Sequence, residues 1–136
     1  MSVDKDALEG DLPRVLVVDD SRVTVRVLAD VLGDQCKIMA ATNYQQAMQA
    51  VRSEVPPELI LLDVMLPDVD GFEICRRLKA DSETCHIPII FITAKDGEAD
   101  EAWGLTLGAV DYISKPIVPA FVRARVLAQI SRLRKE

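Results

Sequence analysis

The chain has 136 residues, 49% of them apolar, which is the size of one compact domain and leaves no room for a second of ordinary size. Chains of this length bury roughly two thirds of the surface their unfolded form exposes, so a core can form without disulfides or a structural metal. The 16 Lys+Arg against 22 Asp+Glu give a net charge of -6, and an acidic body argues against direct nucleic-acid binding, which needs a basic face.

Residues 1–13 show no apolar period and are expected to form a disordered leader, with the domain itself running over 14–136. The opening stretch MSVDKDALEGDLP is polar and acidic where a signal peptide is basic and then apolar. No later apolar run approaches the roughly 20 residues that span a bilayer. A cytoplasmic location and no membrane association are the expectation. Three cysteines (Cys36, Cys75, Cys85) with no CxxC spacing, beside a single histidine, His86, argue against a disulfide framework or a zinc site.

In chain order, Val15-Leu16-Val17-Val18 is a continuous apolar run that suits a strand buried on both faces. Residues 21–32 are ambiguous at first, because Val23, Val25 and Val27 alternate as a strand would. The spacing of Val27, Leu28, Val31 and Leu32, with Gly33 where a C-cap falls, decides for a helix. A weaker strand follows at 37–41. Asn43 with Gln46 resembles a capping box opening a helix to about Arg52, stopped by Pro56-Pro57. Leu59-Ile60-Leu61-Leu62 reads as a strand, and residues 71–79 as a helix with Phe72, Ile74, Cys75 and Leu78 inward. Another strand is expected over 87–92. A shorter helix then places Ala99, Ala102, Trp103 and Leu107 inward, weakened by Gly104 and closed by Gly108. Residues 109–113 read as a strand. The last helix, about 119–134, puts Phe121, Val122, Val126, Ile130 and Leu133 inward. Phe72 and Trp103 are expected to be packing residues. Strict strand–helix alternation calls for a parallel sheet covered on both faces.

Ligands of such sheets bind beyond the C-terminal ends of the strands. Asp19-Asp20 follows the first strand, Asp63 the third, Thr93 the fourth and Lys115 the fifth. Each has a plainer reading: Asp20 as a helix cap, Asp63 as turn chemistry, Thr93 as a strand-end hydroxyl, Lys115 as an exposed lysine before Pro116. Together on one sheet edge they point to a site. Three carboxylates held close repel one another unless a cation shares the space. Oxygen-only ligands favour magnesium over zinc. An Asp nucleophile, a Lys, a hydroxyl and Mg2+ are the equipment of phosphoryl transfer.

Four motifs occur in order, each closing a strand: VLVVDD, LILLDVMLPDVDGFE, IIFITA and LGAVDYISKP. In this combination, over about residues 14–134, the chain resembles the receiver domain of two-component response regulators. The resemblance implies a doubly wound, flavodoxin-like α/β fold, a five-stranded parallel sheet of order 2-1-3-4-5. It implies that Asp63 accepts a phosphoryl group from a phosphohistidine of a sensor histidine kinase or phosphotransfer protein. Mg2+ would be held by Asp20, Asp63 and the Met65 carbonyl directly, and by Asp19 through water. Lys115 would pair with the phosphoryl oxygens, its peptide bond to Pro116 being cis in many relatives. Thr93 would move onto a phosphoryl oxygen and Tyr112 would turn inward behind it. The domain would catalyse its own phosphorylation and dephosphorylation without being an enzyme in the usual sense. Residues about 97–125 would form the readout surface towards an output domain or downstream partner, with phosphorylation-dependent homodimerisation as a further role. Val110 departs from the acidic residue many relatives carry there, which bears on dimer mode. Met65 and Lys95, two residues past Asp63 and Thr93, flank the path of an attacking water. His86, in a loop before a strand, is not the phosphodonor.

Two rivals remain at this level: a Mg2+-dependent Asp-nucleophile phosphatase and a flavodoxin-like binding module. The first would want DxD rather than Asp19-Asp20 and a cap domain. The second would want a phosphate loop less acidic than DDSRVT. Residues 121–136 carry a net +4 and the preceding 120 a net -10. The basic last helix reads either as a docking surface or as a solvated face whose cations suit the helix dipole.

Overall fold

A continuous apolar run keeps all of its side chains out of water only when both faces of its sheet are covered, which helices on either side provide. The computed structural model describes residues 12–134 and shows this arrangement. Five strands, β1 (Arg14–Val18), β2 (Lys37–Ala41), β3 (Leu59–Leu62), β4 (Ile89–Thr93) and β5 (Asp111–Ser114), alternate with five helices. These are α1 (Arg22–Leu32), α2 (Tyr44–Val51), α3 (Gly71–Ala80), α4 (Glu98–Thr106) and α5 (Pro119–Leu133). The sheet order is β2-β1-β3-β4-β5 and every pairing is parallel. Residues 1–11 of the expected leader and the last two residues lie outside the described part. Pro13 is buried and its carbonyl accepts the Lys37 N–H at 2.8 Å, so it already extends the β1–β2 ladder.

Alternate residues of β1 divide between two cores. Val15 and Val17 pack with Leu28 and Leu32 of α1 and Val122 and Val126 of α5. Leu16 and Val18 pack on the other face with residues of α2 and α3. Three helices start on side-chain caps: Ser21 Oγ accepts from Thr24 N–H, Asn43 Oδ1 from Gln46 N–H, and Asp70 Oδ1 from Glu73 N–H. Gln46 returns its carboxamide oxygen to the Thr42 N–H at 2.8 Å, one residue before the position a capping box uses.

Four expectations are corrected. Of the residues expected inward on this helix, only Leu107, just past α4, packs half-buried on the core; Ala99 and Ala102 are exposed, Trp103 is 50% exposed, and α4 itself buries only Gly104. The reason is position: α4 rides over the β4–β5 end of the sheet, where the Phe91 and Tyr112 rings fill the space beneath it. On α5 the buried stripe is Val122, Val126 and Ile130, at i, i+4 and i+8; Phe121 and Leu133 lie off it and are exposed. Phe121 is instead covered by the Arg125 guanidinium, 4.5 Å over its ring. The fourth strand begins at Ile89 rather than Ile87, since Pro88 has no N–H to give the ladder, although Ile87 stays in the core. The fifth begins at Asp111, with exposed Val110 still donating its N–H to Ile89 O.

Candidate functional site

The chain leaves β1 to build β2 on one side and returns to place β3 on the other, so a crevice opens where β1 and β3 end. Asp19 lies there. Its N–H still bonds the Ala41 carbonyl at 3.0 Å, which holds its side chain buried, 2% exposed, at the sheet edge. Asp19 Oδ1 accepts from Ser21 N–H and Oδ2 from Lys115 Nζ, both at 2.9 Å. Asp20, next in the chain, is exposed.

Asp63 is fixed in the same way from β3, its N–H on the Val18 carbonyl at 2.9 Å. Its Oδ1 accepts from Met65 N–H at 3.1 Å and its Oδ2 from Lys115 Nζ at 3.1 Å. Behind it the chain turns sharply into α3: Gly71 N–H bonds Val64 O at 2.8 Å. A Cβ on Gly71 would lie 2.2 Å from the Asp63 carbonyl oxygen, so only glycine permits this approach.

From the far side, Lys115 N–H bonds the Thr93 carbonyl at 2.9 Å, and the Lys115–Pro116 peptide is cis. Its ammonium therefore bridges two carboxylates from two other strands. Thr93 is fully buried at the end of β4, its Oγ1 accepting the Lys95 N–H at 3.2 Å. The Tyr112 ring is turned inward beside Phe91, and its hydroxyl donates to the Lys95 carbonyl.

Carboxylate oxygens of Asp19, Asp20 and Asp63 lie within 4.8 Å of one another. With the three carboxylates ionised and Lys115 charged, the cluster carries a net charge of -2. Burial raises the proton affinity of Asp19, and the Asp63 charge adds to it, against the opposing bonds from Lys115 and Ser21. Burial alone would lower that of Lys115, but its bonds to Asp19 and Asp63 and their charges outweigh it and hold the ammonium more firmly protonated. Burial and nearby carboxylates push the Tyr112 hydroxyl up to about 12, so it is a donor at neutral pH. The excess negative charge and the all-oxygen donor set suit a hard divalent cation. Beside the cluster a cleft of about 480 Å³ is lined by Asp20, Met65, Pro67, Asp70, Phe72 and Lys95.

The structure thus brings Asp19, Asp20, Asp63, Thr93 and Lys115 to one edge. Met65 joins through its N–H, its side chain being exposed. His86 is exposed, and with Pro56, Pro57 and Pro88 it lines a separate pocket. Two contributors escaped the sequence: Gly71 and the backbone of Lys95. The Asp70-Gly71 pair was the available signal for the first. The second acts through its peptide groups, which residue type does not reveal.

The sequence model of the response regulator receiver domain matches residues 15–127. Response regulator PleD of Caulobacter vibrioides is 43% identical over 114 residues, 83% of this chain and 25% of PleD. The phosphate regulon transcriptional regulatory protein PhoB of Pseudomonas aeruginosa is 45% identical over 121 residues, 87% of this chain and 52% of PhoB. The chain thus spans a quarter to about half of these curated relatives. Among solved structures, a two-component response regulator from Clostridium difficile superposes with a TM-score of 0.82 at 25% identity, over 90% of this chain and 99% of that one. The BeF3-activated DrrB receiver domain gives 0.79 at 27% identity, over 88% of this chain and 98% of that one. These matches favour neither the phosphatase nor the flavodoxin-like rival. With its sheet order, its carboxylate edge and its bridging lysine, the chain belongs to the response regulator receiver domain family, the signalling domain of two-component systems.

Proposed function

We propose that Asp63 is the phosphoryl acceptor and that the donor is a phosphohistidine on a sensor kinase or phosphotransfer protein. The observation that carries this is the Lys115 ammonium seated between Asp63 and Asp19 beside an open cleft. An Asp63 carboxylate oxygen attacks phosphorus in line, the P–N bond breaks, the imidazole leaves with the electron pair, and an acyl phosphate remains. Lys115 follows the phosphoryl oxygens as the charge moves outward, and Asp19 keeps it within reach. Met65 N–H holds Asp63 Oδ1 in place. The Thr93 hydroxyl, now an acceptor from Lys95, turns to donate to a phosphoryl oxygen.

Asp20, Asp63 and the Met65 carbonyl would hold Mg2+, with Asp19 reaching it through water; when bound, the ion supplies neutralising charge to the phosphoryl oxygens. Phosphorylation adds charge and acceptors that Thr93 and Lys115 meet differently in two conformers, so a population shift of residues about 97–125 carries the signal to an output domain, a downstream partner or a second copy.

Intact mass after incubation with acetyl phosphate and Mg2+ tests this. One phosphoryl adduct is expected, lost in Asp63→Asn and in EDTA. Absence of an adduct together with failure to bind beryllofluoride would contradict the acceptor role.

A further inference from the structure

The α4 helix has one buried position, and the residue there is Gly104, which has no side chain to bury. A Cβ at 104 would lie 2.9 and 3.0 Å from Cδ2 and Cε2 of the Tyr112 ring and 3.1 Å from Cδ2 of Phe91. Two rings share that space, and they differ in freedom. Phe91 is fully buried and packed edge-on against Phe72, with ring centroids 5.3 Å apart, so it has less room to yield. Tyr112 stands on β5, the edge strand, and rotation about its first side-chain torsion carries the ring towards solvent. A methyl group at 104 is therefore relieved at Tyr112.

We propose that Gly104 is a positioning residue of the switch: it keeps open the space the inward Tyr112 ring fills. The consequence for signalling rests on the phosphoryl reading of the site given above. Lys95 gives its N–H to Thr93 and receives the Tyr112 hydroxyl on its carbonyl, so one residue ties both side chains. With the ring out, Lys95 loses one of its two anchors, and the 93–97 segment must be ordered when a phosphoryl group binds. That ordering cost lowers affinity at Asp63, because a competent state that is less populated binds more weakly. Alanine strengthens a helix interior relative to glycine, so the loss cannot come from a weakened α4.

The chain has two tyrosines, Tyr44 and Tyr112, which makes fluorotyrosine labelling readable by 19F NMR, with Tyr44→Phe to assign the signals. In Gly104→Ala the Tyr112 resonance should move to the position of a solvent-exposed ring. In Ala102→Gly, a change on the exposed part of α4, it should stay as in the parent protein. Beryllofluoride affinity in the presence of Mg2+ should fall on the order of tenfold in Gly104→Ala, within the usual range of coupling between sites. The same substitution should have no effect in a Tyr112→Ala background. An unmoved resonance in Gly104→Ala, or an affinity loss that persists without Tyr112, would overturn the proposal. Failure of the parent protein to bind beryllofluoride would instead sink the phosphoryl reading, and the fluorine spectra would still decide whether Gly104 holds the ring.

Discussion

Asp19 is buried beside Asp63 with one ammonium between them, and its folded proton affinity is raised above the unfolded value of 3.8. A carboxyl raised in this way favours the fold while protonated, and that contribution is lost as pH rises through its folded pKa. At neutral pH without a divalent cation the ionised group thus works against folding. Asp19→Asn should stabilise the cation-free protein, because it removes a buried charge beside Asp63 while Lys115 keeps Asp63 as a partner. Mg2+ should then stabilise the parent more than the variant, because binding to the folded state alone adds stability by mass action. Thermal unfolding with and without EDTA checks both. An Asn variant less stable in EDTA than the parent would contradict the electrostatic account. The clustering of these side chains was legible in the sequence, because carboxylates, a hydroxyl and a lysine that each directly follow an apolar strand fall together at one end of a parallel sheet. Gly71 and Gly104 were not, since each matters through a neighbour met only in three dimensions: the Asp63 carbonyl for one, the Tyr112 ring for the other.

Helix α3 carries its own acid sensitivity. Glu73 accepts from Arg76 at 2.7 and 2.6 Å and from Arg77 at 2.7 Å, which holds its carboxyl down to about 2 against an ordinary 4.5. A depressed carboxyl stabilises the fold above its unfolded pKa, and that contribution disappears as pH falls from about 4.5 towards 2. Denaturant titrations across this window should show a shallower acid decline in Glu73→Gln than in the parent; identical slopes would contradict the pairing. Helix α5 shows why charge runs mislead. Arg123 binds Asp34, Arg125 binds Asp111 and Arg134 binds Glu58, so much of the basic face is met by the acidic body. The partners of Arg123 and Arg134 lie 89 and 76 residues away, beyond the reach of any local pattern. Helix α4 was misread for a related reason. Its apolar residues have helical spacing, but a helix over the edge of a sheet finds little surface to cover, and Trp103 and Leu105 stay exposed.

For the molecule as a whole, continuous strands alternating with helices made the parallel architecture legible from composition and period, whereas the strand order 2-1-3-4-5 came from resemblance to the family. That order places the ends of β1 and β3 side by side, with β4 and β5 completing the row. Residues 19, 63, 93 and 115 thereby become one site, although the chain visits them across nearly a hundred residues. The chemistry proposed for this site turns on a single acyl phosphate, and borohydride reduction tests its location directly, because it converts an aspartyl phosphate to homoserine. After treatment with acetyl phosphate and Mg2+, peptide mapping should find homoserine at position 63 and nowhere else. Homoserine at 19 or 20, or a phosphoryl adduct that resists reduction altogether, would contradict the assignment of Asp63 as the acceptor.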